Sequence, residues 1–166
     1  MAGWERSFDE LLSTRASALS KYAYLLSGDS ADAADLVQEA LLRVFARLRT
    51  GDDIDQLEAY TRRAVLNLYL EGQRKQDRWE ARRHLFASGS DEGSLHDQIP
   101  DEALIHKAIA NLSPRQKACV VLRFYEDLTV PAIAEELGCS EGTVKRHLAD
   151  ARIRLADELG AAEESV

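Results

Sequence analysis

Basic side chains are concentrated near the carboxyl end of the chain. From Thr143 to Arg154, four lysines and arginines stand against one acidic residue. Ammonium and guanidinium groups donate hydrogen bonds to base edges and phosphate oxygens, and hydroxyl groups bond to either. Lys145 and Arg146 are our choices for base edges and Arg152 for a phosphate. The full set assigned to contact with nucleic acid is Ser140, Thr143, Lys145, Arg146, Ala149 and Arg152.

Two amphipathic segments on either side of Gly138 position these side chains. Thr129 is suited to cap the first helix and Ser140 the second, and Gly138 accommodates the left-handed conformation that ends the first. The pattern predicts a helix-turn-helix, with the second helix built to enter the DNA major groove. An ordinary helical hairpin with a solvated basic face has the same capping residues and the same glycine at its turn. The apolar residues expected to face the core are Val130, Ile133, Ala134 and Leu137, then Val144, Leu148, Ala151 and Leu155.

A longer stretch of the sequence favours the helix-turn-helix over the ordinary hairpin. The sequence LSPRQKACVVLRFYEDLTVPAIAEEL, followed by GCSEGTVKRHL, resembles region four of the bacterial sigma factors, specifically of the extracytoplasmic-function group. The resemblance covers about the last third of the chain and extends to the actinobacterial sigma-E-like group. It implies that the basic helix binds the promoter −35 element and that this region contacts the β flap of RNA polymerase. Two residues depart from the family pattern, because His147 stands where arginine is common and Asp150 where a basic residue often sits.

A helix from about residue 31 to 48 offers a second surface. On the face opposite its apolar stripe, Leu42 lies among carboxylates, which is the composition of a binding hot spot with an acidic rim. Periodicity alone favours a solvated face with one stray leucine. The stripe is predicted at Val37, Leu41, Val44 and Leu48, widened by Ala40 and Phe45.

The sequence DAADLVQEALLRVFARL in this helix resembles region two of the sigma factors. The resemblance implies that this helix binds the clamp helices of the polymerase β′ subunit. The residues assigned to core polymerase binding are Asp32, Asp35, Gln38, Glu39, Leu42 and Ala46.

A long helix is predicted from Leu57 to about Arg83. Between Arg62 and Arg83 seven basic residues stand against three acidic ones. Tyr69 and Trp79 lie among these cations, either as platforms on which unpaired bases stack or as core residues. The exposed face is predicted at Arg63, Asn67, Leu70 and Arg74, and the buried stripe at Leu57, Ala64 and Leu68.

The sequence AYTRRAVLNLYL resembles the family helix that recognises and helps to melt the −10 element. Glu71-Gly72-Gln73 departs from the family, where a more basic run is usual. The preceding loop, at Gly51-Asp52-Asp53, stands where the family holds a base flipped out of the non-template strand. The residues assigned to the −10 element are Arg62, Arg63, Asn67, Arg74, Lys75 and Arg78.

The remaining helices are predicted from apolar spacing. One runs from Phe8 to Leu26, one begins at Glu102, another starts at Ser113-Pro114, and Gly160 should end the last helix. The residues expected to be buried in them are Phe8, Leu11, Leu12, Ala16, Leu19 and Ala23, then Ala103, Ile105, Ala108, Ile109 and Leu112, then Ala118, Val121, Leu122 and Tyr125.

The predicted fold class is all-α, with two small helical domains joined by a flexible acidic linker. Residues 86–101 are rich in Gly, Ser and Asp and carry four acidic residues with no lysine or arginine. Such a composition is typical of a linker. The predicted domains are residues 1–85, corresponding to sigma region two, and residues 102–166, corresponding to region four.

The net charge of −8 would suit a nucleic-acid-binding protein poorly if it were spread evenly. Because it is segregated into blocks, it indicates separate surfaces for separate partners. No apolar run approaches the ~20 residues that cross a bilayer, and the amino terminus lacks a signal pattern, so we expect a cytoplasmic protein without membrane insertion. Cys119 and Cys139 form neither a disulfide framework nor, without clustered histidines, a zinc site, and we expect no cofactor.

The resemblance implies an alternative sigma factor that binds core RNA polymerase and promoter DNA and directs transcription initiation. An anti-sigma factor is a common further partner in the family. One alternative is a helix-turn-helix regulator that binds operator DNA without acting as a sigma subunit; it would bind duplex DNA tightly without polymerase. A second is an enzyme with an appended DNA-binding module. It has no support, because the four histidines are scattered, no Gly-rich phosphate loop is present, and we expect no small-molecule substrate.

Overall fold

Helices account for the regular structure in the part of the chain that the structure describes. The computed structural model describes residues 3–83 and 100–164. Within them lie α1 Gly3–Ser27, α2 Ser30–Arg49, α3 Leu57–Arg83, α4 Pro100–Ala110, α5 Pro114–Val120, α6 Val130–Leu137 and α7 Glu141–Glu164. One turn of π-helix, Val121–Tyr125, follows α5 directly. The prediction of an all-α fold is confirmed.

The backbone divides into two units, one up to Tyr69 and one from Leu70, so that the division falls inside α3. The predicted linker, residues 86–101, lies outside the described residues except for its last two, with which α4 begins. The domain boundaries at 85 and 102 therefore stay a prediction.

The first unit is built on the packing of α1 against α2. Asp29 caps α2, because its Oδ1 accepts hydrogen bonds from the backbone N–H groups of Ala31 at 2.8 Å and Asp32 at 3.0 Å. The regular spacing of three or four residues between buried positions on α2 places them on one stripe facing the core. Those residues are Ala33, Val37, Ala40, Val44 and Leu48. The predicted stripe is confirmed, with Leu41 half-buried at its edge.

Helix α3 has the predicted bounds but buries a different face. The predicted stripe is only half-buried, and the buried face is centred roughly a third of a turn away at 100° per residue. Apolar residues follow one another almost without interruption from Ala64 to Leu70, so their spacing does not select one stripe. The buried residues are Thr61, Val65, Leu66, Tyr69 and Leu70. The prediction of Leu70 on the exposed face is therefore wrong, and Tyr69 is a core residue.

Three large apolar residues that were predicted to be buried are exposed, namely Leu12, Phe45 and Ile105. Although exposed, the ring of Phe45 contacts aromatic neighbours, since its centroid lies 5.5 Å from those of both Trp4 and Phe8. Ala103 is exposed as well, whereas Ala108 of α4 and Leu112, two residues after the helix ends, are buried.

The second unit packs α4, α5 and α6 against α7. Ala151 of α7 clusters with Leu112 and Val120, and Leu148 and Leu155 pack against this cluster. Val144 is fully buried. The predicted α7 stripe is confirmed.

The predicted end of α7 at Gly160 is wrong, because the helix continues to Glu164. Glycine in a helix interior costs only ~1 kcal/mol relative to alanine, and the neighbouring leucine and alanines are strong helix formers that offset it.

Candidate nucleic-acid and partner interfaces

The end of α6 fixes the sharp turn of the helix-turn-helix. Gly138 adopts φ +66°. Its N–H donates to the Glu135 carbonyl at 3.3 Å, and the N–H of Cys139 donates to the Ala134 carbonyl at 3.0 Å. This pair of hydrogen bonds is a Schellman cap, which satisfies two carbonyls at the helix end. The predicted role of Gly138 is confirmed.

Hydroxyl groups start both helices of the motif, as predicted. The Thr129 hydroxyl oxygen accepts a hydrogen bond from the Ala132 N–H at 3.3 Å. The Ser140 hydroxyl oxygen accepts one from the Thr143 N–H at 3.1 Å and also bonds to the Thr143 hydroxyl at 2.9 Å. Each hydroxyl thereby satisfies a free N–H group in the first turn of its own helix.

Replacement of Gly138 by alanine should lower the free energy of unfolding by about 1 kcal/mol, because an L-residue in the left-handed region costs about 1–2 kcal/mol. Gly142 is a matched control. It lies inside α7, where an added Cβ would contact only the Ser140 hydroxyl, at 3.8 Å. Gly142→Ala should therefore raise the free energy of unfolding by up to ~1 kcal/mol. Urea denaturation measures both, and the same sign for both variants would contradict the assigned role of the turn.

The assigned side chains of α7 point away from its core stripe. Lys145, Arg146, Ala149 and Arg152 are exposed. Ser140 is exposed just before the helix, and Thr143 is half-buried. A groove-reading helix needs such cations on its outer side.

Ile153 is an unassigned residue on the same side of α7, with 61% of its surface exposed. The sequence could have indicated Ile153, because it is an apolar residue that does not fit the periodicity of the core stripe. An apolar group in the major groove can contact the methyl group of thymine.

His147 is half-buried between the core stripe and the basic face of α7. Partial burial, Arg146 and Arg115 lower the pKa of His147 below its usual value, in that order of importance, while Asp150 acts in the opposite direction. Arg115 is fixed nearby, because its Nη1 donates to the Leu137 carbonyl at 3.3 Å. The lowered pKa favours the neutral imidazole, so the departure from arginine reduces the positive charge of this helix.

Proton NMR titration of the free chain should give a pKa for His147 below the ordinary 6.5. Because the positive charge of Arg146 disfavours the imidazolium, Arg146→Ala should raise this pKa. Asp150→Asn should lower it, since the carboxylate favours the imidazolium. A midpoint at or above the ordinary value, or a shift in the same direction in both variants, would contradict this account.

A basic face runs along α3. Arg63 and Asn67 are exposed in its first half, and Arg74, Lys75 and Arg78 in its second. At 100° per residue, four of the five fall on one side of the helix, opposite the buried residues, and Lys75 lies at its edge. Arg62 differs from this group, because it is half-buried on the side of the core residues.

Trp79 adds an aromatic surface to the second half of α3. Its side chain is 63% exposed. Of the two interpretations of Trp79, the exposed platform agrees with the structure.

A cavity of about 450 Å³ opens where the loop after α2 meets the start of α3. The loop contributes Asp53, Asp55 and Gln56 to its wall, and α3 contributes Tyr60 and Arg63. Its volume lies within the about 300–1,000 Å³ that is typical of ligand pockets. Carboxylates, an amide, an aromatic ring and a guanidinium group together can bond the edge of a planar polar molecule and cover its face. Of the loop residues assigned from the resemblance, Asp53 lines the cavity.

The outer face of α2 combines one apolar residue with acidic and polar neighbours. Leu42 is 57% exposed. The residues assigned with it, Asp32, Asp35, Gln38, Glu39 and Ala46, are all exposed. Partial burial, and to a smaller extent the carboxylates of Asp29 and Asp35, raise the pKa of Asp32.

The two cysteines are free thiols. Cys119 is buried, and its burial raises the pKa of the thiol to about 12, while Cys139 is half-buried in the turn. Within residues 3–83 and 100–164, His, Cys, Asp and Glu side chains form no group that could hold a metal ion. No helix in these ranges is long and apolar enough to span a membrane.

Comparison with known proteins assigns both units to one family. The family model for Sigma-70 region 2 matches residues 11–78, and that for Sigma-70, region 4, matches residues 102–155. The RNA polymerase sigma-E factor of Streptomyces coelicolor is 37% identical over 161 residues, covering 93% of this chain and 86% of that protein. The ECF RNA polymerase sigma factor SigL of Mycobacterium tuberculosis is 33% identical over 161 residues, covering 90% and 89%.

Solved structures share the fold at lower sequence identity. The sigma factor RpoE from Bartonella quintana, in complex with the anti-sigma factor NepR, has a TM-score of 0.72 at 24% identity, covering 93% of this chain and 98% of that one. CnrH, in complex with the cytosolic domain of CnrY, has a TM-score of 0.65 at 23% identity, covering 96% and 91%.

A match to Sigma-70 region 2 and a match to Sigma-70, region 4, in one helical chain define a sigma-type transcription factor. The chain belongs to the extracytoplasmic-function group of bacterial RNA polymerase sigma factors. It is an alternative sigma factor, which binds core RNA polymerase and promoter DNA and directs transcription initiation. The predicted family, including its sigma-E-like group, is confirmed. The matches do not favour an operator-binding regulator, and they include no catalytic family.

Proposed function

We propose that the chain divides its task among three surfaces, on α2, α3 and α7. Residues 1–85 bind core polymerase and the −10 element, residues 102–166 bind the −35 element, and residues 86–101 link them. The observation that carries this proposal is the position of Leu42. A large apolar side chain stands alone on the side of α2 opposite the core, with carboxylates around it.

The α2 surface suits a basic helical partner. Burial of Leu42 supplies the apolar centre of an interface, and its acidic rim attracts cations and sets the orientation. The clamp helices of the polymerase β′ subunit are the proposed occupant. The face comprises Asp32, Asp35, Gln38, Glu39, Leu42 and Ala46.

The α3 surface suits single-stranded DNA of the −10 element. Its cations bind phosphates without reading sequence, the amide of Asn67 bonds a base edge, and Trp79 offers a stacking platform. The cavity at the start of α3 holds one unpaired base of the non-template strand. The cations of this surface are Arg62, Arg63, Arg74, Lys75 and Arg78.

The α7 surface suits the duplex of the −35 element. Lys145 and Arg146 read base edges from the outer side of the helix, and Arg152 holds a phosphate. Ser140, Thr143 and Ala149 complete the contact. Contact with the β flap of the polymerase places this unit over its element.

The linker allows each contact to be weak. When one unit is bound, a short tether raises the effective concentration of the other at its site, so binding to two elements exceeds either affinity alone. The net charge of −8 opposes nonspecific binding of the free chain to DNA. Polymerase overcomes this repulsion by fixing both units on the promoter.

The chain itself carries out no reaction and needs no cofactor or small-molecule substrate, because the polymerase performs the chemistry. It acts in the cytoplasm, where the polymerase works. An anti-sigma factor that covers the α2 and α7 surfaces would keep it inactive.

Run-off transcription with purified core polymerase on genomic promoter fragments tests this proposal. Specific start sites that require the chain, together with its association with core polymerase, are the expected result. Tight binding to a symmetric duplex without polymerase, with no transcript and no association with core polymerase on any fragment, would overturn it in favour of an operator-binding regulator.

A further inference from the structure

Arg47, in the last turn of α2, joins three segments of the first unit. Its Nε donates to a carboxylate oxygen of Asp52 in the following loop at 2.9 Å. Its Nη1 donates to the hydroxyl of Tyr60 in α3. The guanidinium carbon lies 5.3 Å from the centroid of the Tyr60 ring. One planar group therefore ties the start of the loop between α2 and α3 to the first turn of α3.

These contacts do little for the stability of the fold. The side chains of Arg47 and Asp52 are about half exposed, at 53% and 49%. Exposed ion pairs contribute little to folding, since solvent screens them and ordering two side chains costs entropy. The pKa of Arg47 is raised, first by the hydrogen bond to Asp52 and then by the one to Tyr60, so the group stays charged.

The same contacts determine the shape of the cavity. Arg47 and Tyr60 both line it, and Asp52 immediately precedes the loop segment that supplies Asp53, Asp55 and Gln56 to its wall. If the loop moves, the carboxylates and the amide move relative to the ring of Tyr60. Discrimination between bases requires donors and acceptors to be held within about 0.5 Å, and loops hold such geometry less well than helices do.

We infer that Arg47 is a positioning residue, which holds the loop so that the cavity distinguishes the identity of the unpaired base. This inference rests on the proposed function of the α3 surface and adds to it the residue on which base preference depends. Arg47 acts through Asp52 and Tyr60 rather than through contact with the base. Its loss should weaken preference among bases much more than it weakens binding to DNA.

The test uses holoenzyme assembled from core polymerase and the full chain. The probes are fork-junction DNAs from a promoter found by run-off transcription, with each of the four bases placed in turn at every unpaired non-template position. Arg47→Lys retains the charge but loses the planar fork that spans Asp52 and Tyr60. Arg49→Lys is the matched control, because Arg49 is exposed in the same last turn of α2. Asp52→Asn and Tyr60→Phe remove one contact each.

The wild type and Arg49→Lys should prefer one base at one position by at least about fivefold, as expected for a specific base contact. In Arg47→Lys this preference should fall below about twofold, while affinity for the preferred DNA changes less than preference does. Asp52→Asn and Tyr60→Phe should each give a partial loss at the same position. Thermal unfolding of the free chain should be nearly unchanged.

Three results would overturn the inference. Arg47→Lys could retain the base preference in full. Arg47→Lys could instead lose affinity equally for all bases. A further variant, Arg47→Gln, could lower the salt dependence of binding by about one charge while the base preference is retained. Either result would indicate that Arg47 contacts a phosphate directly. Failure of the proposed function would look different, because wild-type holoenzyme would then form no specific transcript.

Discussion

Leu42→Arg should reduce the affinity of the chain for core RNA polymerase by at least about 30-fold, because loss of a central apolar hot spot costs about 2 kcal/mol or more. The new charge adds repulsion against a basic partner. The fold should tolerate the change, since Leu42 is 57% exposed. Competition binding with labelled wild-type chain on core polymerase measures the effect.

Leu12→Arg is the matched control in the same unit. Leu12 is a second exposed leucine, at 38%, but it lies on α1 outside the assigned surface. It should retain wild-type affinity. Equal losses for both variants would indicate a general effect of charge, and unchanged affinity of Leu42→Arg would exclude α2 as the polymerase surface.

Helix α2 shows where sequence alone is sufficient. Its buried residues recur every three or four positions and are separated by polar ones, so that only one face can meet the core. The same regularity shows that Leu42 is an apolar residue on the exposed face, opposite the core. The helix-turn-helix was predictable for a similar reason, because Thr129, Gly138 and Ser140 each have a local role that depends on few distant contacts.

Helix α3 shows where the same reasoning fails. Its bounds were predictable, but apolar residues on nearly every side leave the buried face to be selected by the helices that pack against it. Thr61 illustrates the point. It is fully buried although polar, because its hydroxyl donates to the Leu57 carbonyl of its own helix at 2.7 Å.

The periodicity of the sequence does not predict the cavity at the start of α3. It depends on the contact of Arg47 with Tyr60, thirteen positions later, across a loop whose path no local pattern specifies. Family resemblance indicated the place of this loop but not the residues that shape it.

The double variant Lys145→Ala/Arg146→Ala should lower transcription from a −35-dependent promoter by at least about 30-fold, because each lost base contact costs about 1–3 kcal/mol. Binding to core polymerase should be nearly unchanged, since both residues lie on the DNA-facing side assigned to α7 and the hot spot for the polymerase is assigned to α2. Run-off assays at matched holoenzyme concentrations measure the first effect, and competition binding the second.

The comparison with Arg152→Ala tests the division of roles along α7. Loss of a phosphate contact should weaken all promoters alike and reduce the salt slope by about 1, whereas loss of a base contact relaxes preference at one position. Lys145 and Arg146 are the residues assigned to bases because they lie in the second turn of α7, whose direction is set by the Ser140 cap and by Gly138. Arg152, nearly two turns further along, is better placed for the DNA backbone.

Identical base-preference profiles for the double variant and the wild type would contradict this assignment, even if transcription fell. A uniform loss in the double variant would show that these cations hold phosphates and that sequence is read by other residues of the helix, of which Ala149 and Ile153 are the exposed candidates.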